Sequence, residues 1–127
     1  MWNGRWSGLD RDLVFLKHIL DEAEFLMKNY QDIELQDLLE DEVLQRACLR
    51  SLEVIGEATK NLSDEFKASH PEIEWRKIAG MRDKLVHHYF GVDWEVVWIV
   101  LVDKIPPLRE DVKGLIDEVE CRGPNRA

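Results

Sequence analysis

The segment 82–89 contains three side chains that are useful in catalysis: Arg82, His87 and Tyr89. A guanidinium is always charged and presents a rigid fork of N–H donors that matches a phosphate. An imidazole titrates near neutrality and can therefore take up or release a proton in a reaction. The pattern indicates a site that binds an anion through Arg82 and transfers a proton through His87.

Arg82 stands where an apolar residue is expected. On a helical wheel it falls near the middle of an apolar arc, and burial of an unpaired charge costs several kcal/mol. Arg82 therefore pairs with a carboxylate such as Glu53 or Glu57, extends to an interface, or faces a cleft that admits an anion. The rest of this arc is formed by Trp75, Ile78, Ala79, Leu85, Val86 and Tyr89.

His87 follows Arg82 by five residues, which is roughly 140° around an ideal helix, whereas Tyr89 lies almost in line with Arg82. The two catalytic candidates meet if the helix finishes before Gly91, if the long Arg82 stem reaches round, or if a second copy of the chain completes the site. Without such a meeting, His87 is only a favourable charge for the helix dipole, and Tyr89 an aromatic that packs the helix end.

Length and charge limit the classes of protein. The chain has 127 residues, 45% of them hydrophobic, and a formal net charge of -9. It fits one domain over 1–127, and we expect 1–9 and 122–127 to be flexible. The net charge argues against general electrostatic binding of nucleic acid, but between Arg76 and His88 four basic residues face one acid. A small basic site on an acidic body is therefore predicted.

Composition also bears on compartment and cofactors. Cys48 and Cys121 lack metal-ligand spacing, and Cys48 falls at an apolar helical position typical of a buried free thiol. No Glu-x-x-His pair lies on a helix, so we expect no metal and no cofactor. No signal peptide or membrane span is recognisable, which predicts a cytoplasmic protein.

The apolar periodicity predicts an all-α bundle with four main helices and a kinked C-terminal extension. The acidic segment 31–41 is expected to be a short connection between two antiparallel helices. The expected elements are a helix capped by Asp10 that ends near Tyr30, a helix over 43–62, a short capped turn at 63–66, a helix over 74–89, a helix capped by Asp93, and a last helix after a kink at Pro106 and Pro107.

The spacing of Arg82, His87 and Tyr89 matches the R-x4-H-x-Y motif, and the chain resembles the HepT-like ribonuclease toxins of the HEPN superfamily. The likeness extends in order through 50–58, 61–63, 70–73, 75–82 and 89–93. It implies a HEPN-like fold and a metal-independent endoribonuclease in which Arg82 and His87 act on an RNA phosphodiester, tRNA or mRNA but not DNA. The family usually forms a homodimer whose two motif copies face a shared cleft.

The resemblance also implies a nucleotidyltransferase antitoxin that silences the toxin by transferring AMP to Tyr89. Asp83 matches the polar residue that often follows the arginine, where it orients Arg82 or His87 or is merely solvated. His88 is a minor substrate contact at most. A rival hypothesis is a non-catalytic helical module that binds a nucleotide or the nucleotidyltransferase partner.

Overall fold

The computed structural model describes residues 8–87 and 91–122, with the backbone alone described for Leu9, His87 and Arg122. Apart from a two-stranded hairpin, the described chain is helical, which confirms the all-α prediction. Within these residues no helix combines the length and the apolar character needed to cross a bilayer. The elements are α1 (Gly8–Tyr30), α2 (Leu35–Glu40), α3 (Glu42–Asn61), α4 (Asp64–Ser69), α5 (Trp75–Ala79), α6 (Met81–Leu85), β1 (Val86–His87), β2 (Gly91–Val92), α7 (Trp94–Ile99), a π-helical turn (Val100–Lys104) and α8 (Ile105–Arg122).

Helices α1 and α3 are antiparallel, as predicted, and hydrogen bonds tie them at both ends. Near the start of α1, the buried Asp12 carboxylate accepts 2.7 Å hydrogen bonds from the Ser63 backbone N–H and hydroxyl, just after α3 ends. At the other end of α1, the Tyr30 hydroxyl donates to the Leu44 carbonyl at 2.6 Å. Ser63 also caps α4 by accepting from the Phe66 N–H, which confirms the predicted capped turn.

The core lies where α3 and α8 pack against α1. Its most deeply buried members include Leu16, Leu52 and Val112, one from each helix. Cys48 is a buried free thiol, as the sequence predicts. Desolvation raises its pKa to about 12, and Tyr30, which is hydrogen-bonded nearby, also has a raised pKa, chiefly through desolvation. Both groups are therefore neutral at pH 7.

Two predictions in the first third of the chain are wrong. Asp10 does not cap α1, because the helix begins at Gly8 and Asp10 lies in its first turn. The acidic segment is more than a connection, since it contains α2. Glu34 begins this helix with a capping box that includes Asp37, and Leu38 is completely buried. A single buried leucine in an acidic stretch gives too little periodicity for a six-residue helix to be recognised.

The predicted third helix over 74–89 is also wrong in its extent. It is divided at Gly80, which ends α5 and begins α6, and the helix ends at Leu85. Val86 and His87 are extended instead. Arg82, at the second position of α6, is exposed and does not occupy the middle of a buried arc. The part of this prediction that concerns Tyr89 falls outside the described residues.

The C-terminal helices are joined by helical backbone. Asp93 caps α7 by accepting from the Val96 N–H at 3.2 Å, as predicted. The following π-helical turn closes with the Ile105 N–H bonded to the Val100 carbonyl, five residues back. Prolines lack the N–H that an α-helical ladder needs, and the wide turn stands immediately before Pro106 and Pro107. The structure thus places a π-helical turn before these prolines, which lie in the first turn of α8.

Candidate functional site

Arg82 lies on the surface, in the second position of α6, with 46% of its side chain exposed. Its Nε atom is 3.6 Å from Glu53 Oε2 on α3, and its Nη1 atom is 4.0 Å from Asp83 Oδ1. Both distances exceed that of a hydrogen bond. Of the alternatives that the sequence left open, the structure therefore shows pairing with a carboxylate, but at the surface and at distances longer than a hydrogen bond.

Glu53 is held in place by a second arginine. Its Oε1 atom accepts a 2.7 Å charge-assisted hydrogen bond from Arg50 Nη1, one turn earlier on α3. Glu57, the other carboxylate considered for Arg82, lies 3.8 Å from Lys60 instead. The candidate site thus includes an Arg50–Glu53–Arg82 row in which one carboxylate lies between two guanidinium groups.

A glycine allows α3 to approach the segment that carries Arg82. A Cβ atom added at Gly56 would lie 3.0 Å from the Ala79 carbonyl oxygen at the end of α5. Gly56 is one turn after Glu53, and Ala79 is three residues before Arg82. The close contact between these two backbones therefore brings α3, which carries Glu53, near the segment that carries Arg82.

The hairpin fixes the backbone of the His87 segment. Val86 pairs with Val92 and His87 with Gly91 in antiparallel register, and Gly91 has a φ of +77°, which favours glycine. The Asp93 N–H also donates to the Leu85 carbonyl at 3.0 Å. Because α6 ends before His87, the 140° separation calculated for a continuous helix does not apply.

The remaining predicted site residues divide into two groups. The Asp83 side chain is 72% exposed, and its Oδ1 atom lies 4.0 Å from Arg82 Nη1, which is the upper limit for an ion pair. Asp83 is therefore close to Arg82 but only weakly coupled to it. His88 and Tyr89 lie outside the described residues, as does the side chain of His87. The structure therefore brings Arg82 and Asp83 together and places the His87 backbone two residues after the end of their helix.

The basic residues predicted around Arg82 are distributed over more than one face. Lys77 and Lys84 line a groove of about 570 Å³ between α5–α6 and the C-terminal helices, whereas Arg82 is not among its lining residues. Lys104 and four acidic side chains also line this groove. Lys77 forms a 2.7 Å ion pair with Glu74 and, mainly through this hydrogen bond, lowers the pKa of that carboxyl. The groove is thus mixed in charge, and Arg82 lies outside it.

Sequence reasoning missed two contributors to this arrangement. Arg50 carried no signal beyond its place in a helix, although its spacing of three residues from Glu53 is typical of an intrahelical ion pair. Gly56 stands inside a helical pattern, where a glycine costs about 1 kcal/mol relative to alanine and therefore often marks close packing. That glycine was a usable signal for where α5 contacts α3.

Comparisons with known proteins identify the family of this chain. A family model described as "Ribonuclease HepT-like" matches residues 19–115. A Caldanaerobacter subterraneus subsp. tengcongensis protein named "Putative RNase TTE0752" is 47% identical over 104 residues, covering 82% of this chain and 93% of that protein. The "Probable ribonuclease HepT" of Thermococcus cleftensis is 45% identical over 95 residues, covering 75% of this chain and 86% of that protein. No solved structure gives a significant match. The chain belongs to the HepT-like ribonuclease family.

Proposed function

We propose that this protein is a metal-independent endoribonuclease and the toxin of a toxin–antitoxin system. The observation that carries the proposal is the exposed guanidinium of Arg82, whose two terminal nitrogens donate no hydrogen bond to any described residue, five residues before His87 in a family of ribonucleases. Such a guanidinium is available to a phosphate. The substrate is single-stranded or structured RNA such as tRNA or mRNA, and the setting is cytoplasmic.

The reaction follows from the chemistry of these two side chains. His87 takes the proton of the ribose 2′-hydroxyl, whose oxygen attacks the adjacent phosphorus, while the bond from phosphorus to the 5′-oxygen breaks. The leaving 5′-oxygen takes a proton from a protonated histidine or from water. Arg82 holds the non-bridging oxygens as negative charge develops on them. The products are a 2′,3′-cyclic phosphate and a 5′-hydroxyl, and no metal ion takes part.

A single atom of the substrate tests this mechanism. An RNA in which the nucleotide at the mapped cleavage site carries a 2′-deoxyribose lacks the attacking oxygen, so we expect cleavage there to stop while neighbouring sites are still cut. Product mapping on a sequencing gel with the all-ribose RNA alongside gives the comparison. Undiminished cleavage at the deoxy position would rule out attack by the 2′-hydroxyl and would point to an external water.

We also propose that the active form is a homodimer whose two copies share the cleft. Large apolar side chains are exposed in a row on α7 and the π-helical turn, with Val96, Ile99 and Val102 between 39% and 50% exposed. Such a row on a small acidic protein supports an interface with a second copy. Light scattering at micromolar concentration is expected to give twice the chain mass, and a strict monomer would contradict the shared cleft.

Control of the toxin is the third part of the proposal. A nucleotidyltransferase antitoxin transfers AMP to Tyr89, as the phenol oxygen attacks the α-phosphorus of ATP and diphosphate leaves. The attached nucleotide adds bulk and negative charge two residues from His87, which would repel an RNA phosphate from Arg82. We expect Tyr89→Phe to cleave RNA yet gain no AMP mass from the partner enzyme. Incorporation of AMP by Tyr89→Phe would assign the modification to another residue. The matched control is Tyr30→Phe, which removes a buried phenol and keeps Tyr89.

A second candidate function is a non-catalytic module that binds a nucleotide or the nucleotidyltransferase. The ion pair between Arg82 and Glu53 favours it, because a surface pair is an ordinary structural feature. Under this alternative Arg82→Ala weakens complex formation, and no RNA end chemistry is observed. Cleavage by the unmodified protein therefore separates the two functions.

A further inference from the structure

We infer that Glu53 is a positioning residue for Arg82, and this inference rests on the proposed ribonuclease function. Glu53 approaches Arg82 most closely between Oε2 and Nε, at 3.6 Å, and the terminal nitrogens of Arg82 donate no hydrogen bond to any described residue. A guanidinium carries five N–H donors, one on Nε and four on the terminal nitrogens. The contact with Glu53 therefore restrains the side chain, and the donors on the terminal nitrogens remain available to a phosphate.

The carboxylate is itself restrained, which a positioning group requires. Glu53 Oε1 accepts the 2.7 Å hydrogen bond from Arg50, and 38% of the Glu53 side chain is exposed. With one oxygen engaged by Arg50, the other is presented towards Arg82. The close contact of Gly56 with Ala79 fixes the approach of α3, which carries Glu53, to the end of α5, three residues before Arg82. Three independent features thus converge on the orientation of one guanidinium.

The negative charge of Glu53 leads to the opposite expectation for the rate of cleavage, so the positioning role can be tested. A carboxylate beside an anion site repels RNA, so a Glu53 that acted only as a counter-charge would lower substrate affinity and its removal would improve cleavage. A Glu53 that orients Arg82 acts on the transition state, where a misplacement of about 1 Å can cost a hundredfold in rate. The two roles therefore move the rate of cleavage in opposite directions.

The test measures kcat and KM of the full-length, unmodified protein on single-stranded RNA. We expect Glu53→Ala to lower kcat about tenfold, with KM unchanged or lower because a repelling charge has been removed. Glu53→Gln keeps a side chain of the same length with an oxygen that can face Nε but loses the negative charge, and is expected to recover part of this loss. Glu57→Ala removes the same type of residue one turn further along α3, where it pairs with Lys60, and is expected to behave like the wild-type protein.

A spectroscopic readout accompanies the kinetics. In a ¹⁵N-labelled sample, the Nε–H resonance that disappears in Arg82→Ala identifies Arg82, and we expect it to shift in Glu53→Ala but not in Glu57→Ala. A wild-type enzyme that cleaves RNA, combined with an unchanged or raised kcat in Glu53→Ala, would overturn the inference and leave the ribonuclease function intact. A wild-type protein that cleaves nothing would overturn the proposed function itself, and the positioning role with it.

Discussion

Replacing His87 with alanine is expected to lower RNA cleavage by about a thousandfold, because general acid–base catalysis contributes roughly 10²- to 10⁴-fold to such reactions. The other described histidines, His18 on α1 and His70 after α4, do not stand on the segment that follows Arg82, and His88 is expected to be a minor substrate contact at most. The measurement is the initial rate of cleavage of a 5′-labelled RNA by wild-type and variant protein at equal concentration.

His18 provides the matched control for this variant. It is an exposed histidine on α1 whose ring meets Phe15 edge-on, and its replacement by alanine is expected to leave the rate unchanged. Circular dichroism and the melting temperature should remain those of the wild-type protein in both variants. A His87→Ala protein that is folded and cleaves at the wild-type rate would remove His87 from the mechanism.

Arg82→Ala is expected to lower kcat by about 10²- to 10³-fold, which is the range observed when one donor to a developing oxyanion is lost. Arg82→Lys retains the charge but not the planar fork, so we expect an intermediate activity. The stability of the fold should change little, because an ion pair that is 46% and 38% exposed contributes about 0–1 kcal/mol. Kinetics and urea unfolding on the same preparations separate these effects.

Arg46 serves as the control arginine, since it is an exposed residue of α3 paired with Glu42. Its replacement by alanine should not alter cleavage.

Mixing the Arg82→Ala and His87→Ala proteins tests the shared cleft directly. If the site takes Arg82 from one copy and His87 from the other, the mixed dimer contains one intact site and activity returns. A mixture as inactive as its components would show that both residues must come from the same chain.

The helices with strong apolar periodicity were predictable from sequence. The stripe that includes Leu16 and Ile19 defines α1, the one that includes Leu52 and Ile55 defines α3, and hydrogen bonds at both ends confirm that the two are antiparallel. Local caps were predictable too when a single side chain makes them, as Asp93 does. These features depend on residues close in sequence, which is why sequence alone identifies them.

The end of the third helix was not predictable in the same way. Residues 75–89 keep a helical apolar pattern, yet the chain leaves the helix after Leu85 because the pairing of Val86 with Val92 and the bond from Asp93 to Leu85 compensate for the lost helical hydrogen bonds. A strand of two residues carries no alternation that a sequence pattern could reveal. Tertiary hydrogen bonding thus overrides local propensity at the site.

The candidate site was identified by residue type, and its supporting contacts came from the structure. Glu53 and Glu57 were the two carboxylates considered for Arg82, and the structure pairs Glu53 with the guanidinium and Glu57 with Lys60. That choice depends on the rotation of one helix against another, which periodicity does not specify at the level of single atoms. Arg50 became relevant for the same reason.

The most direct test of the central claim is cleavage of single-stranded RNA and of tRNA in EDTA by protein whose intact mass shows Tyr89 unmodified, with chemical identification of the product ends. The account predicts 2′,3′-cyclic phosphate and 5′-hydroxyl ends that form without divalent metal and disappear with His87→Ala. Absence of cleavage by this unmodified protein, or cleavage that requires a metal ion and leaves 5′-phosphate ends, would contradict it.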